Sequence, residues 1–155
     1  MKTLVLGLGN PILSDDGVGI RVAEELQRRL DHQDVTVMET SLCSLSLLDI
    51  LSGYDRAIVI DAIETAEGHP GQIYRLLPDM ITPTRNASNP HDVGFAHALE
   101  LGRRLSIDLP QEIIIYAVEI EDVITFSEEC TPRVREAIPL CVERILQELG
   151  GGRNA

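Results

Sequence analysis

Apolar residues in this chain fall into short unbroken runs and into four-residue periods, and the two patterns alternate. Thr3 to Leu6 is an apolar run closed by Gly7-Leu8-Gly9-Asn10, the pattern of a buried parallel strand turning through a glycine loop. Val18, Val22, Leu26 and Leu30 then recur every four residues, while Arg21, Glu24, Glu25, Arg28 and Arg29 occupy the other faces, which predicts an amphipathic helix. Val35 to Met38 read as a second strand, and Leu42, Leu45, Leu47 and Leu48 as a short helix. The run Ala57-Ile58-Val59-Ile60 is too short for a helix and rich in β-branched residues, so it is expected to form the central strand.

The second half continues the alternation. Gln72 to Leu77 suggest a further strand, and Pro78 to Pro90, with three prolines among Thr, Asn and Ser, a loop. Val93 to Leu105 have helical spacing, and Glu112 to Val118, containing Ile113-Ile114-Ile115, read as another buried strand. Thr131-Pro132 supplies an N-cap and a proline suited to the first helical turn. The last helix is expected to reach Leu149, with Val134, Ala137, Ile138, Cys141, Ile145 and Leu149 on one stripe and a bend at Pro139. Residues 150–155 are expected to be a frayed tail beyond a single domain of 1–149. Strands alternating with helices imply an α/β sandwich with a largely parallel sheet, and such folds bind ligands beyond the carboxyl ends of their strands.

Composition narrows the partners. Thirteen Lys and Arg against 25 Asp and Glu leave a formal charge of −12, which opposes nucleic-acid binding because that depends on neutralising phosphates. Three cysteines, Cys43, Cys130 and Cys141, contain no CxxC pair and form neither a disulfide framework nor a structural zinc set, as befits a reducing cytosol. The amino terminus lacks the apolar core and cleavage site of a signal peptide, and no apolar run approaches the roughly 20 residues that span a bilayer. A cytoplasmic protein without membrane attachment is expected.

Three side chains could meet at one sheet edge. Asp16, beside Asp15, lies in the loop after the first strand, Asp61 immediately follows Ala57 to Ile60, and His91 sits in the Pro-rich loop. Two carboxylates and an imidazole suit a borderline divalent metal such as nickel or zinc, although by residue type alone each also fits a cap, a strand-end structural acid or a solvated histidine. The loop Gly7-Leu8-Gly9 lacks the third glycine of a dinucleotide fingerprint and the Lys-Ser/Thr of a phosphate loop.

Gly7-Leu8-Gly9-Asn10 followed by Asp15-Asp16-Gly17-Val18-Gly19 closely resembles the opening of the hydrogenase maturation proteases. Asp61-Ala62 after an apolar strand, and Pro90-His91-Asp92-Val93-Gly94 before a helix, match that family's order and approximate spacing, and the likeness runs from Met1 to about Leu149. The resemblance implies a three-layer α/β sandwich with a largely parallel five-stranded sheet. It implies an aspartic-type endopeptidase that removes the C-terminal extension of a nickel-iron hydrogenase large subunit after nickel insertion, the precursor being its partner. It puts Asp16, Asp61 and His91 in the metal-contacting and catalytic positions, with nickel supplied by the substrate or another divalent metal in its place, and leaves Asp15 to help cap the following helix. Many members carry Asp-Gly-Gly-Thr after the second strand where this chain has Glu39-Thr40-Ser41-Leu42-Cys43. Thr40, Ser41, Leu42 and Cys43 are therefore expected to help choose the hydrogenase.

Two other functions compete. Peptidyl-tRNA hydrolase also begins with a string like Gly7 to Pro11, but places a histidine where this chain has acids and needs a surface that accepts tRNA. A non-catalytic nickel-binding maturation chaperone would use the same three ligands only to inspect the metallocentre.

Overall fold

A computed structural model describes residues 1–41, 45–80 and 98–151. Five strands form one sheet in the order β2-β1-β3-β5-β4. They are β1 (Thr3–Leu8), β2 (Val35–Thr40), β3 (Arg56–Ile63), β4 (Ile73–Leu76) and β5 (Glu112–Glu119). Strands β1, β2, β3 and β5 run parallel, and β4 lies antiparallel at the edge beside β5. The helices are α1 (Val18–Arg29), α2 (Leu45–Leu51), α3 (residues 98–104) and α4 (Pro132–Gly151).

The three-layer arrangement follows from which side chains alternate onto which face. Val5, Ile58, Ile60, Ile114, Tyr116 and Val118 pack with Val18, Val22 and Leu26 of α1 and with Val134, Cys141 and Ile145 of α4. Leu4, Leu6, Leu8, Ala57, Val59, Ile113 and Ile115 pack on the other side with Leu47 and Leu51 of α2 and Leu99 of α3. Every residue of β1 and β3 is buried, because a central parallel strand covered on both faces has no solvent side.

The strand runs were legible in the sequence, and their ends were displaced. β1 runs to Leu8 instead of Leu6, β2 to Thr40 instead of Met38, and β3 to Ile63 instead of Ile60. The last extension matters most, because Asp61 is then a sheet residue paired with Ala117 of β5 and not a residue after the strand. Helix α4 passes through Pro139 and ends at Gly151, two residues beyond Leu149, so Gly150 belongs to the helix and not to a tail. Within the Pro-rich segment, Pro78–Met80 form a single 3-10 turn, and residues 81–97, with His91, lie outside the described residues.

From β1 the chain crosses to β2 on one side, and from β2 it returns across β1 to β3 on the other. Connections that depart in opposite directions leave a crevice at the carboxyl ends of the two strands between them. Here that crevice is at the ends of β1 and β3.

Candidate active site at the switch point

Glycines bring the first helix down onto that crevice. A Cβ on Gly19 would collide with the backbone carbonyl oxygens of Leu8 and Ile60, and one on Gly7 with the carbonyl of Gly19. Gly9 has φ +143°, and a Cβ there would run into the carbonyl oxygen of Asp16, so only glycine fits the turn that folds back under the acidic pair. The Gly9 N–H donates to the Thr40 carbonyl at 3.3 Å, tying the end of β2 to the same turn.

The 3-10 turn Ser14–Gly17 carries both acids, and it touches β3. Asp16 is 9% exposed, and its Oδ2 accepts from the Asn10 N–H at 3.0 Å. Asp61 is 3% exposed, with Oδ1 accepting from the Ala62 N–H at 2.8 Å. By strand alternation Asp61 shares its face with Ala57 and Val59, on the α2 and α3 side of the sheet. Asp16 and Asp61 thus come from separate stretches of chain to the carboxyl ends of β1 and β3. Among the described residues no three His, Cys, Asp or Glu side chains form a metal-holding group, and His91 is outside them. Of the segment expected to select the substrate, Thr40 ends β2 in register with Leu8 and Ser41 is exposed, while residues 42–44 are outside the description.

Asp15 does not cap α1, contrary to expectation. The residue preceding that helix is Gly17, and no side chain caps it. Fully buried, Asp15 turns the other way. Its Oδ2 accepts from the N–H groups of Glu121 and Asp122 at 3.0 and 2.9 Å, and its Oδ1 from the Thr131 N–H at 2.7 Å. The Thr131 hydroxyl donates to the same carboxylate, 2.8 Å from Oδ2. Asp15 therefore fastens the 121–131 segment and the start of α4 to the turn that bears Asp16. Ser14 completes the joint: its hydroxyl donates to the Glu129 carbonyl at 3.1 Å and its N–H to the Ser127 carbonyl at 2.9 Å. These ties hold Ser14 at φ +46°, the left-handed region that costs a non-glycine residue energy.

Another acid went unnoticed in the sequence. Glu119, 2% exposed at the end of β5, accepts from the Thr65 N–H and hydroxyl at 2.8 and 2.6 Å and from the Tyr74 hydroxyl at 2.9 Å. It pairs in register with Ile63, one strand over and two residues on from Asp61, on the same face of the sheet. Its only sequence signal was an acid closing an otherwise apolar run. The described thiols belong to the core, where burial pushes Cys130 up to about 11 and Cys141 up to about 12.

The family model for hydrogenase maturation proteases matches residues 20–148, most of the chain. The chain belongs to that family. It is 30% identical to the hydrogenase 2 maturation protease of Escherichia coli K12 over 152 residues, covering 96% of this chain and 91% of that protein. Its fold superposes on the hydrogenase maturating endopeptidase HybD from Escherichia coli with a TM-score of 0.86 at 28% identity, over 98% and 94% of the two chains. The maturation protease HycI from Thermococcus kodakarensis shares the fold, with a TM-score of 0.73 at 20% identity over 94% and 90% of the chains. Membership in a maturation protease family makes this chain a peptide-bond hydrolase and sets the peptidyl-tRNA hydrolase alternative aside. Asp61 lies within the span matched by the family model, while the glycine turn and Asp16 precede it.

Proposed function

We propose that this chain is the endopeptidase that removes the C-terminal extension of a nickel-iron hydrogenase large-subunit precursor once nickel is in place. The observation that carries the reading is the delivery of two buried carboxylates, Asp16 and Asp61, to the carboxyl ends of β1 and β3, where open α/β sheets place their ligands. Carboxylates joined by the imidazole of His91 make a ligand set of the kind nickel accepts. In this reading the metal belongs to the substrate and arrives with its own thiolates, so the enzyme recognises a loaded metallocentre and holds the adjoining tail against its acids.

Cleavage is assigned to the aspartic type, with a carboxylate taking the proton from the attacking water. Thiol chemistry from Cys130 or Cys141 finds no support, since both are buried and protonated at neutral pH. The same reading puts the reaction in the cytoplasm. No helix among the described residues is long and apolar enough to cross a membrane.

Purified chain incubated with nickel-loaded precursor is expected to reduce the mass of the large subunit by the mass of the tail, with no added metal, and to leave nickel-free precursor intact. Asp16→Asn, Asp61→Asn and His91→Ala are each expected to slow cleavage by about a hundredfold or more while melting close to the wild type. Metal-dependent binding without any loss of mass would identify a chaperone instead. Selectivity is assigned in part to the segment from Thr40 to Ser46, which leaves β2 beside the glycine turn. Exchanging it for the counterpart from a protease serving another hydrogenase is expected to change the ratio of rates on the two precursors. An unchanged ratio removes the segment from substrate choice.

A further inference from the structure

The segment that closes over the acidic turn carries apolar side chains that the core does not use. Ile124 is 84% exposed and Phe126 81%, and Ile12, on the neighbouring loop, 50%. The two stretches lie side by side: Leu13 and Ser127 form a parallel bridge, and the Ser127 N–H donates to the Ile12 carbonyl at 2.9 Å. Their backbone is held in advance. Asp122 accepts from the N–H groups of Ile124 and Thr125 at 2.9 and 3.0 Å and from the Thr125 hydroxyl at 2.6 Å, while Asp15 holds the N–H groups of residues 121 and 122. A surface built before its partner arrives loses little ordering entropy on binding.

The 121–129 segment itself carries only negative charge, with Arg135 at its far end and Arg21 donating to the Pro11 carbonyl at 3.0 Å beside Ile12. Glu121, Asp122, Glu128 and Glu129 fall within the same short stretch. Arg135 pairs with Glu129 at 3.4 Å, whereas Glu121 and Glu128 make no ion pair among the described residues. An apolar centre rimmed by polar side chains marks an interaction site, and an acidic rim selects a basic partner and speeds its approach.

We propose that Ile12, Ile124 and Phe126, with Glu121 and Glu128 beside them, dock a segment of the hydrogenase precursor in which an apolar side chain is flanked by Lys or Arg. The docking surface rests on the protease reading and deepens it, because Asp15 and Ser14 join this surface to the turn carrying Asp16. Gripping the substrate here sets it in register with the carboxylates. The residues act in binding and not in the chemical step.

The test is steady-state cleavage of nickel-loaded precursor by Ile124→Ser/Phe126→Ser and by Glu121→Lys/Glu128→Lys, with Leu105→Ser as a control at a remote exposed position. Both double variants are expected to raise KM by about tenfold or more with kcat near wild type, since truncating well-packed apolar anchors at an interface commonly costs that much. The charge-reversed pair is also expected to lose most of the salt dependence of kcat/KM. Melting temperatures should hold, because the altered side chains are exposed. Failure of the wild-type protein to cut the precursor would refute the protease reading itself. Normal wild-type cutting combined with unchanged KM in both double variants would overturn the docking surface alone. So would a wild-type dimer that Ile124→Ser/Phe126→Ser converts to a monomer at unchanged KM, which would make the patch a contact between copies of this chain.

Discussion

Asp15 and Asp16 are adjacent acids with unrelated work. Asp15 is a buried acceptor for three backbone N–H groups and a hydroxyl, while Asp16 accepts from the Asn10 N–H in the turn at the end of β1. Replacing Asp15 by Asn sets an amide NH2 against donors that need an acceptor, so Asp15→Asn is expected to lose about 3 kcal/mol of stability, from several bonds to a charged group and the burial of those left unsatisfied. Urea unfolding should show this loss, and Asp16→Asn should unfold near the wild type yet fail to cut. Equal stabilities would mean that Asp15 does not hold the joint. The sequence favoured Asp16 as the site residue through the register of its resemblance, but it offered no view of Asp15's partners. Those partners are 106 to 116 residues away, and nothing local distinguishes an acid that ties distant loops from one that caps the next helix.

Among the elements, α1 fits closely against the strands beneath it. Gly19→Ala would drive a methyl group against the carbonyl oxygens of Leu8 and Ile60, and backbone cannot swing aside as a side chain can. A loss of about 1–3 kcal/mol is expected, together with slower precursor cleavage as the helix lifts and carries the Asp16 turn with it. A melting curve unchanged from the wild type would refute the packing argument. Apolar runs announced β1, β3 and β5 because a doubly covered strand must be apolar along most of its length. Their ends were harder to read, since Asp61 and Glu119 look like residues meant for water. Both are buried inside strands, Asp61 held by the next residue's N–H and Glu119 by Thr65 and Tyr74, 54 and 45 residues away, and hydrophobic periodicity does not register such partners.

Across the whole molecule, edge strand β4 is pinned to α4 by a small polar cluster. Arg75 pairs with Glu148 at 2.7 Å, and the Tyr116 hydroxyl donates to Glu148 at 2.7 Å. The bond from Arg75, more than its charge alone, holds Glu148 below the usual carboxylate range, whereas burial and then Glu148 push Tyr116 up to about 12. A carboxylate with a lowered folded pKa adds stability that is complete above its unfolded value and disappears as pH falls through the folded one. Arg75→Ala is therefore expected to be about 0.5–1 kcal/mol less stable than wild type at pH 7, the partly exposed pair being screened by water, with the gap closing below pH about 4. A constant gap across that range in denaturant titrations would exclude the linkage. The joint at Asp15 has a consequence in time as well as in space. Residues 14–17 are made well before the backbone groups they grip, which belong to residues 121–131. On the ribosome, the acidic turn must wait until residues 121–131 have emerged. The acidic turn is locked in place by a segment made long after it, so a chain that stops short of residue 121 carries the acids without the frame that holds them.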